Sequence, residues 1–245
     1  MLKKRIIIVL TFKDGVLFRT KNFKPDYRYT KNFIDFWSID ELVLIDVSEK
    51  KFQKSFLGII KDFSRNCFVP ISVGGGIKSL GDAELYFEYG ADKIILGYHS
   101  TANFNLIKDI SRKYGNQSVI QSIDYKKELS DYISIGKSGS IKLDISPINW
   151  AKQSLKYGAG EILLNSVDDD GSLLGYNINF IEKISNLLKC PILVLGGCGN
   201  WSQILDLFNS THVSAACTQN IYHFTNESIT SAKNFLIKNN INIRK

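Results

Sequence analysis

The apolar run Phe68-Val69-Pro70-Ile71-Ser72-Val73 ends in three glycines, Gly74, Gly75 and Gly76, and then enters a helix-like stretch. Glycine is costly to order, because it loses more backbone freedom on folding than any other residue. Three in a row at a strand end imply that bare backbone is needed there. The same grammar returns in "CPILVLGGCGNWSQ", where Pro191 and Gly196 stand 121 positions after Pro70 and Gly75. A strand, a glycine turn and a helix start, repeated at about half the chain length, restrict the fold more than any other feature.

Between these landmarks, short β-branched runs alternate with amphipathic stretches. The pattern predicts strands near 5–10, 42–46, 69–73, 93–97, 118–123, 161–165, 191–195 and 213–217. Their near-continuous apolarity fits parallel strands covered on both faces. Helical periodicity fits 50–64, 80–90, 103–114, 147–157, 178–189, 201–209 and 226–239. In residues 129–143, two alternating runs flank Gly136-Lys137-Ser138-Gly139, which reads as a small hairpin inserted after the fifth strand. No Pro-, Gly- or Ser-rich linker divides the 245 residues. The predicted class is therefore α/β: a single (β/α)8 TIM barrel spanning 1–245, built from two similar half-barrels of about 1–117 and 118–245. A doubly wound open sheet is the runner-up, and it would not naturally explain the half-length echo.

Composition removes several functions. No stretch approaches ~20 apolar residues, so no membrane span is expected. The basic start and the run Ile6–Leu10 are too short for a secretory leader. Cys67, Cys190, Cys198 and Cys217 lack CxxC spacing and sit in or beside apolar runs, as buried thiols of a cytoplasmic protein would. The formal charge is +7, but the lysines are dispersed and form no basic block with interleaved aromatics, so nucleic acid is not an expected partner. The surplus fits a solvated basic surface, an anionic small molecule or an acidic protein. His99, His212 and His223 form no ligand pattern, so no metal is assigned; no cofactor is expected either.

In a (β/α)8 barrel the chemistry lies at the C-terminal strand ends. Those ends carry Thr11, Asp46, Gly74–Gly76, Gly97-Tyr98, Asp124, Asn165 to Asp170, Gly196-Gly197 and Gln219-Asn220. Glycine turns leading into helix N-termini can seat phosphate, and two of them across one mouth would suit a substrate with a phosphate at each end. They also serve simply as tight turns. Asp124 and Asp170 fall on adjacent strands, and either could move protons if burial or a like charge raises its pKa. Helix or turn capping is the plainer role for a lone aspartate.

The segments "MLKKRIII…KDG", "DELVLIDV", "PISVGGGIKS", "GADKIIL", "SID", "GAGEILLNSVDDDGSLLGYN", "ILVLGGCGN" and "IYHF" follow one another along nearly the whole chain. In that order they closely resemble the HisF family, the cyclase subunit of imidazole glycerol phosphate synthase. The resemblance implies a barrel that binds a bis-phosphorylated histidine precursor. It also implies ammonia supplied by a glutaminase partner, the HisH subunit, and formation of imidazole glycerol phosphate with release of an aminoimidazole carboxamide ribotide. Carried onto this chain, it marks Gly75, Gly76, Asp170, Gly171, Gly196, Gly197 and Asn220 as phosphate- or substrate-binding positions. Asp124 becomes a catalytic aspartate.

The departures cluster at the same end. Thr11 stands where the family has its other catalytic aspartate, Gly97-Tyr98 replaces Asn-Thr, Leu195 replaces serine, and Gln219-Asn220 replaces Ala-Ser. At the opposite end the resemblance implies a four-residue charged ammonia gate, Arg5, Glu41, Lys93 and Glu161, with Asp92 facing the glutaminase. Strand alternation puts Arg5 on the face of Thr11, Lys93 on that of Gly97 and Glu161 on that of Asn165. Two positive and two negative charges sum to zero, as a buried ring requires. Three functions stay open. One is a working cyclase of histidine biosynthesis. The second is a paralogue that keeps the ammonia conduit and passes nitrogen to a third amidotransferase protein acting on a bacterial surface sugar. The third is a structural activator of a glutaminase.

Overall fold

A computed structural model describes residues 3–28, 39–219 and 229–244. Eight parallel strands close into a barrel. In chain order they are β1 (Arg5–Lys13), β4 (Glu41–Asp46), β5 (Ile71–Gly74), β6 (Lys93–Leu96), β7 (Val119–Glu128), β10 (Glu161–Ser166), β11 (Ile192–Leu195) and β12 (Ala215–Thr218). Each pairs in parallel with the next, and β12 closes on β1 with Arg5 opposite Ala215 and Ile7 opposite Cys217. The described helices are α1 (Lys54–Asn66), α2 (Leu80–Glu88), α3 (Asn105–Tyr114), α4 (Pro147–Lys156), α5 (Ile178–Leu187), α6 (Trp201–Ser210) and α7 (Ile229–Lys238). The fold is the (β/α)8 barrel that the strand–helix alternation predicts.

Two apolar layers follow from strand alternation. Ile7, Val9, Val43, Ile95, Ile120 and Leu163 point inward and pack with Leu193, Ala215 and Cys217 into a core along the barrel axis. Their neighbours Ile6, Ile8, Leu42 and Leu44 point outward and meet the buried helix faces, including Phe56 and Ile60 of α1 and Trp150 of α4. All four cysteines are free, and Cys190 alone is not fully buried. No helix among the described residues is long and apolar enough to cross a membrane.

The two glycine turns are built alike. A Cβ at Gly75 would lie 2.4 Å from the Asp46 carbonyl oxygen, and one at Gly196 would lie 2.9 Å from that of Ser166. Asp46 and Ser166 each end the preceding barrel strand. Both turns then enter a helix through a capping box. Ser79 and Asp82 form the first; Asn200 and Gln203, again 121 positions on, form the second. The sequence echo is thus an echo in three dimensions.

Two connections differ from the sequence expectation. The hairpin predicted within 129–143, turning at Gly136–Gly139, is present, and it forms the second half of a three-stranded meander. Strand β7 runs on to Glu128, pairs antiparallel with β8 (Asp131–Gly136), and β8 pairs with β9 (Ile141–Lys142). The first turn therefore falls at Leu129-Ser130, before the glycines. A second hairpin, β2 (Val16–Lys21) with β3 (Lys24–Arg28), follows β1 and was not expected. Asp14-Gly15, a strong hairpin dipeptide with both residues at positive φ, turns β1 into β2, while the β2–β3 turn is Asn22-Phe23, also at positive φ.

Candidate functional site

At the N-terminal end of the barrel, four strands place one charge each around the axis. Arg5 Nη1 stands 2.6 Å from Glu41 Oε1 and 3.2 Å from Glu161 Oε1. Lys93 Nζ stands 3.1 Å from Glu41 Oε2 and 3.3 Å from Glu161 Oε1. The contacts close a ring in which charges alternate. Arg5, Glu41 and Glu161 are buried and Lys93 is half-buried. Burial alone would push the Glu41 carboxyl up, but Arg5 and Lys93 outweigh it and hold the pKa below its ordinary value. Burial likewise opposes the Arg5 charge, and Glu161 and Glu41 overcome it. Glu161 Oε2 is buried and has no hydrogen-bond partner among the described residues, so the ring keeps one unused acceptor. Glu41, whose orientation parity left open, faces inward with the other three.

Around this ring the strand starts are pinned by aspartates. Asp40 Oδ2 accepts the Ile6 N–H at 2.8 Å, while its Oδ1 accepts from Lys233 of α7. Asp92 Oδ2 accepts the Ile71 N–H at 2.8 Å. Asp92 is exposed on this face, as its candidate role requires, but its carboxylate also holds the start of β5.

The C-terminal mouth has two unlike sides. On one, Asn165 Nδ2 donates to Asp124 Oδ1 at 2.9 Å, and Ser122 Oγ is 3.4 Å from the same oxygen. Burial pushes the Asp124 pKa up to about 6 and Asp170 adds like-charge repulsion; the bonds from Asn165 and Ser122 pull the other way. A carboxyl tuned there can exchange protons near neutral pH.

On the other side stands Thr11, buried at the end of the axial face of β1. Its Oγ1 accepts from Gln219 Nε2. Gln219 Oε1 lies 3.0 Å from the Thr20 hydroxyl, which also lies 3.0 Å from Asp170 Oδ1. That hydroxyl has one proton and donates to one of the two at a time. Asp170 Oδ2 accepts the Phe23 N–H at 2.9 Å, and its carbonyl accepts the Asn22 N–H. Asp170 is thereby committed to the β2–β3 hairpin. Thr20 was missed in the sequence because the hairpin was. Burial raises the Asp170 pKa, opposed by these hydrogen bonds and by Arg19.

The marked glycines each meet a close neighbour. A Cβ at Gly197 would lie 1.9 Å from the Gly175 carbonyl oxygen, and one at Gly171 would lie 2.6 Å from that of Thr20. At Gly76 it would meet the Lys51 side chain at 2.4 Å. Backbone packing thus accounts for the bare backbone at 171, 196 and 197. At Gly75-Gly76 a lysine lies across the turn, with its Nζ 2.8 Å from the Asp46 carbonyl. Lys51 went unread in the sequence, hidden in an ordinary surface run of lysines. Tyr98, at the end of β6, packs on Gly136 of the meander. Asn220 lies outside the described residues.

Comparison with known proteins agrees with the resemblance. Residues 8–227 match the family described as histidine biosynthesis protein. The chain is 35% identical to the imidazole glycerol phosphate synthase subunit HisF of Hydrogenobaculum sp. (strain Y04AAS1) and 36% identical to that of Prosthecochloris aestuarii. It is 32% identical to that of Streptococcus mutans. Each comparison covers 100% of both chains. A closed eight-stranded barrel, a family match over residues 8–227 and full-length relatives at this identity place the chain in the HisF family.

Proposed function

We propose that this barrel takes ammonia from a glutaminase partner at its N-terminal face and passes it along the axis, and that its own cyclase chemistry is weak. The observation that carries the reading is the contrast between the ends. One end holds a complete ring of four alternating charges with an unused carboxylate oxygen. The other has a threonine, tied up by a neutral amide, where the family resemblance implies a catalytic aspartate. A threonine hydroxyl is a poor general base at pH 7. Released nitrogen then reaches an acceptor held by a further amidotransferase protein in the cytoplasm, a bacterial surface sugar being the class considered above.

The second reading is a working cyclase, as the names of the relatives state for those proteins. Asp124 favours it, because its raised pKa suits proton transfer. For a phosphorylated ligand, the turn at Gly75-Gly76 is the better-supported seat, with Lys51 adding positive charge beside it.

Purified barrel supplied with ammonium and the bis-phosphorylated precursor separates the two readings. The expected turnover is about 10²–10⁴-fold below that of an enzyme with both acid–base groups. Efficient turnover would establish the cyclase and remove the conduit preference.

A further inference from the structure

Gln219 bears on what the mouth can admit. Its amide links Thr11 of β1 to Thr20 of β2, a side-chain tie beside the backbone ladder that already sets Thr11 opposite Phe18. The Thr20 N–H also reaches Gln219 Oε1, at 3.5 Å. Thr11, Thr20, Asp170 and Gln219 are 4%, 7%, 7% and 9% exposed, so this side of the mouth is filled by protein. Across the axis Asp124, Asn165 and Leu195 stay half-buried. The mouth is therefore shut on one side and accessible on the other.

We propose that Gln219 is a specificity-determining residue: its hydrogen-bonded amide fills the space beside Thr11, excluding a phosphorylated ribotide while leaving the Asp124 side wide enough for ammonia. The inference deepens the proposed function and rests on it. A ribotide held between opposite sides of the mouth has to displace Gln219 from Thr11 and Thr20. Thr20 can then still donate to Asp170, but the buried Thr11 hydroxyl and the Gln219 amide lose their bond, a discrimination built from lost contacts to the wrong ligand. Ammonia, one heavy atom in size, asks for no such displacement. An amide neither gains nor loses a proton near neutral pH, so Gln219 cannot itself replace a missing carboxylate. It also explains Thr11 in physical terms. The threonine supplies the acceptor that the Gln219 NH₂ group needs once buried.

The test is calorimetric titration of aminoimidazole carboxamide ribotide into the full chain and into Gln219→Ala and Gln219→Asn. Asparagine is one methylene shorter and cannot span Thr11 and Thr20 together. The chain itself should show no saturable binding at millimolar ribotide. Both variants should bind at least about tenfold more tightly, with thermal midpoints showing that each is folded. If Gln219→Ala does not fold, Gln219→Asn decides alone. Parent and variants binding within twofold of one another would overturn the proposal. Co-purification of the same proteins with the glutaminase separates the two ideas. Loss of that complex from the parent strikes the conduit reading, whereas unchanged ribotide affinity strikes the role of Gln219.

Discussion

Asp124 keeps its proton to higher pH than a solvated aspartate because the barrel mouth shields it from water and Asp170 lies nearby. The sign of the resulting pH dependence is fixed. Below about pH 4 folded and unfolded chains both carry the proton, by the ordinary aspartate pKa. Between there and the folded value of about 6 only the unfolded chain loses it, so stability falls as pH rises through that window. Asp124→Asn removes this penalty. It should melt above the parent at pH 8, and the gap should shrink towards pH 4, as thermal scans across pH would reveal. An Asp124 carboxyl followed by carbon-detected NMR should titrate near 6. Asn165→Ala, which deletes the bond favouring the charged form, should move that midpoint up. A midpoint near 4 in the parent would show the mouth to be wetter than this geometry implies.

At the scale of elements, glycine turns and capping boxes define the half-length echo; the glycines and the helix starts were legible in the chain, and the structure adds the capping boxes. Gly197 makes the energetics concrete. Its φ of +100° disfavours any side chain, and an added methyl would strike the Gly175 carbonyl. Gly197→Ala should destabilise the fold by about 2–4 kcal/mol, combining backbone strain with overpacking. Chemical denaturation reads this directly. Gly58→Ala, with nothing within 4 Å of the added Cβ and a place inside α1, should be neutral or stabilising by comparison. Eight barrel strands and seven helices were legible because burial on both faces leaves continuous β-branched runs and amphipathic periodicity. The β2–β3 hairpin was not, since its strands mix Lys, Arg, Pro and Asp with few apolar residues. Alternation cannot be read from strands whose partners are mostly polar and exposed. Part of the mouth was illegible for the same reason: Thr20 and its hold on Asp170 and Gln219 exist only once that hairpin folds back. Lys51 shows a second limit, because a side chain lying across a turn from five residues beyond a strand leaves no periodic trace.

Across the whole molecule, the two ends differ in how charge is arranged, and that difference can be tested on the intact chain. The ring of Arg5, Glu41, Lys93 and Glu161 gains little stability over apolar packing of the same volume, yet removing one member strands charge in a buried place. Glu161→Ala leaves Arg5 and Lys93 sharing Glu41 alone. It should cost about 3–5 kcal/mol, the range for breaking a buried pair, at the lower end because Lys93 reaches water. Docking should be touched far less, since Glu161 is buried behind the face proposed to meet the partner. Asp92 is the converse case, exposed on that face but bonded to the Ile71 N–H. Asp92→Asn keeps an acceptor oxygen for that bond and removes only the charge, so its thermal midpoint should stay near the parent's. Asp92→Lys removes both and adds a like-charge contact, which can cost several kcal/mol at an interface. Co-expression with the glutaminase, followed by size-exclusion chromatography, should therefore give a complex for the parent and for Glu161→Ala, less for Asp92→Asn and little for Asp92→Lys. Supplying amide-labelled glutamine to each complex in cell extract reads the other half of the prediction. Glu161→Ala should release more labelled ammonia to bulk solvent per glutamate formed than the parent, while Asp92→Asn complexes that do assemble should match it. Equal release from all of them, or no complex with the parent chain, would remove the ring from any role in ammonia transfer.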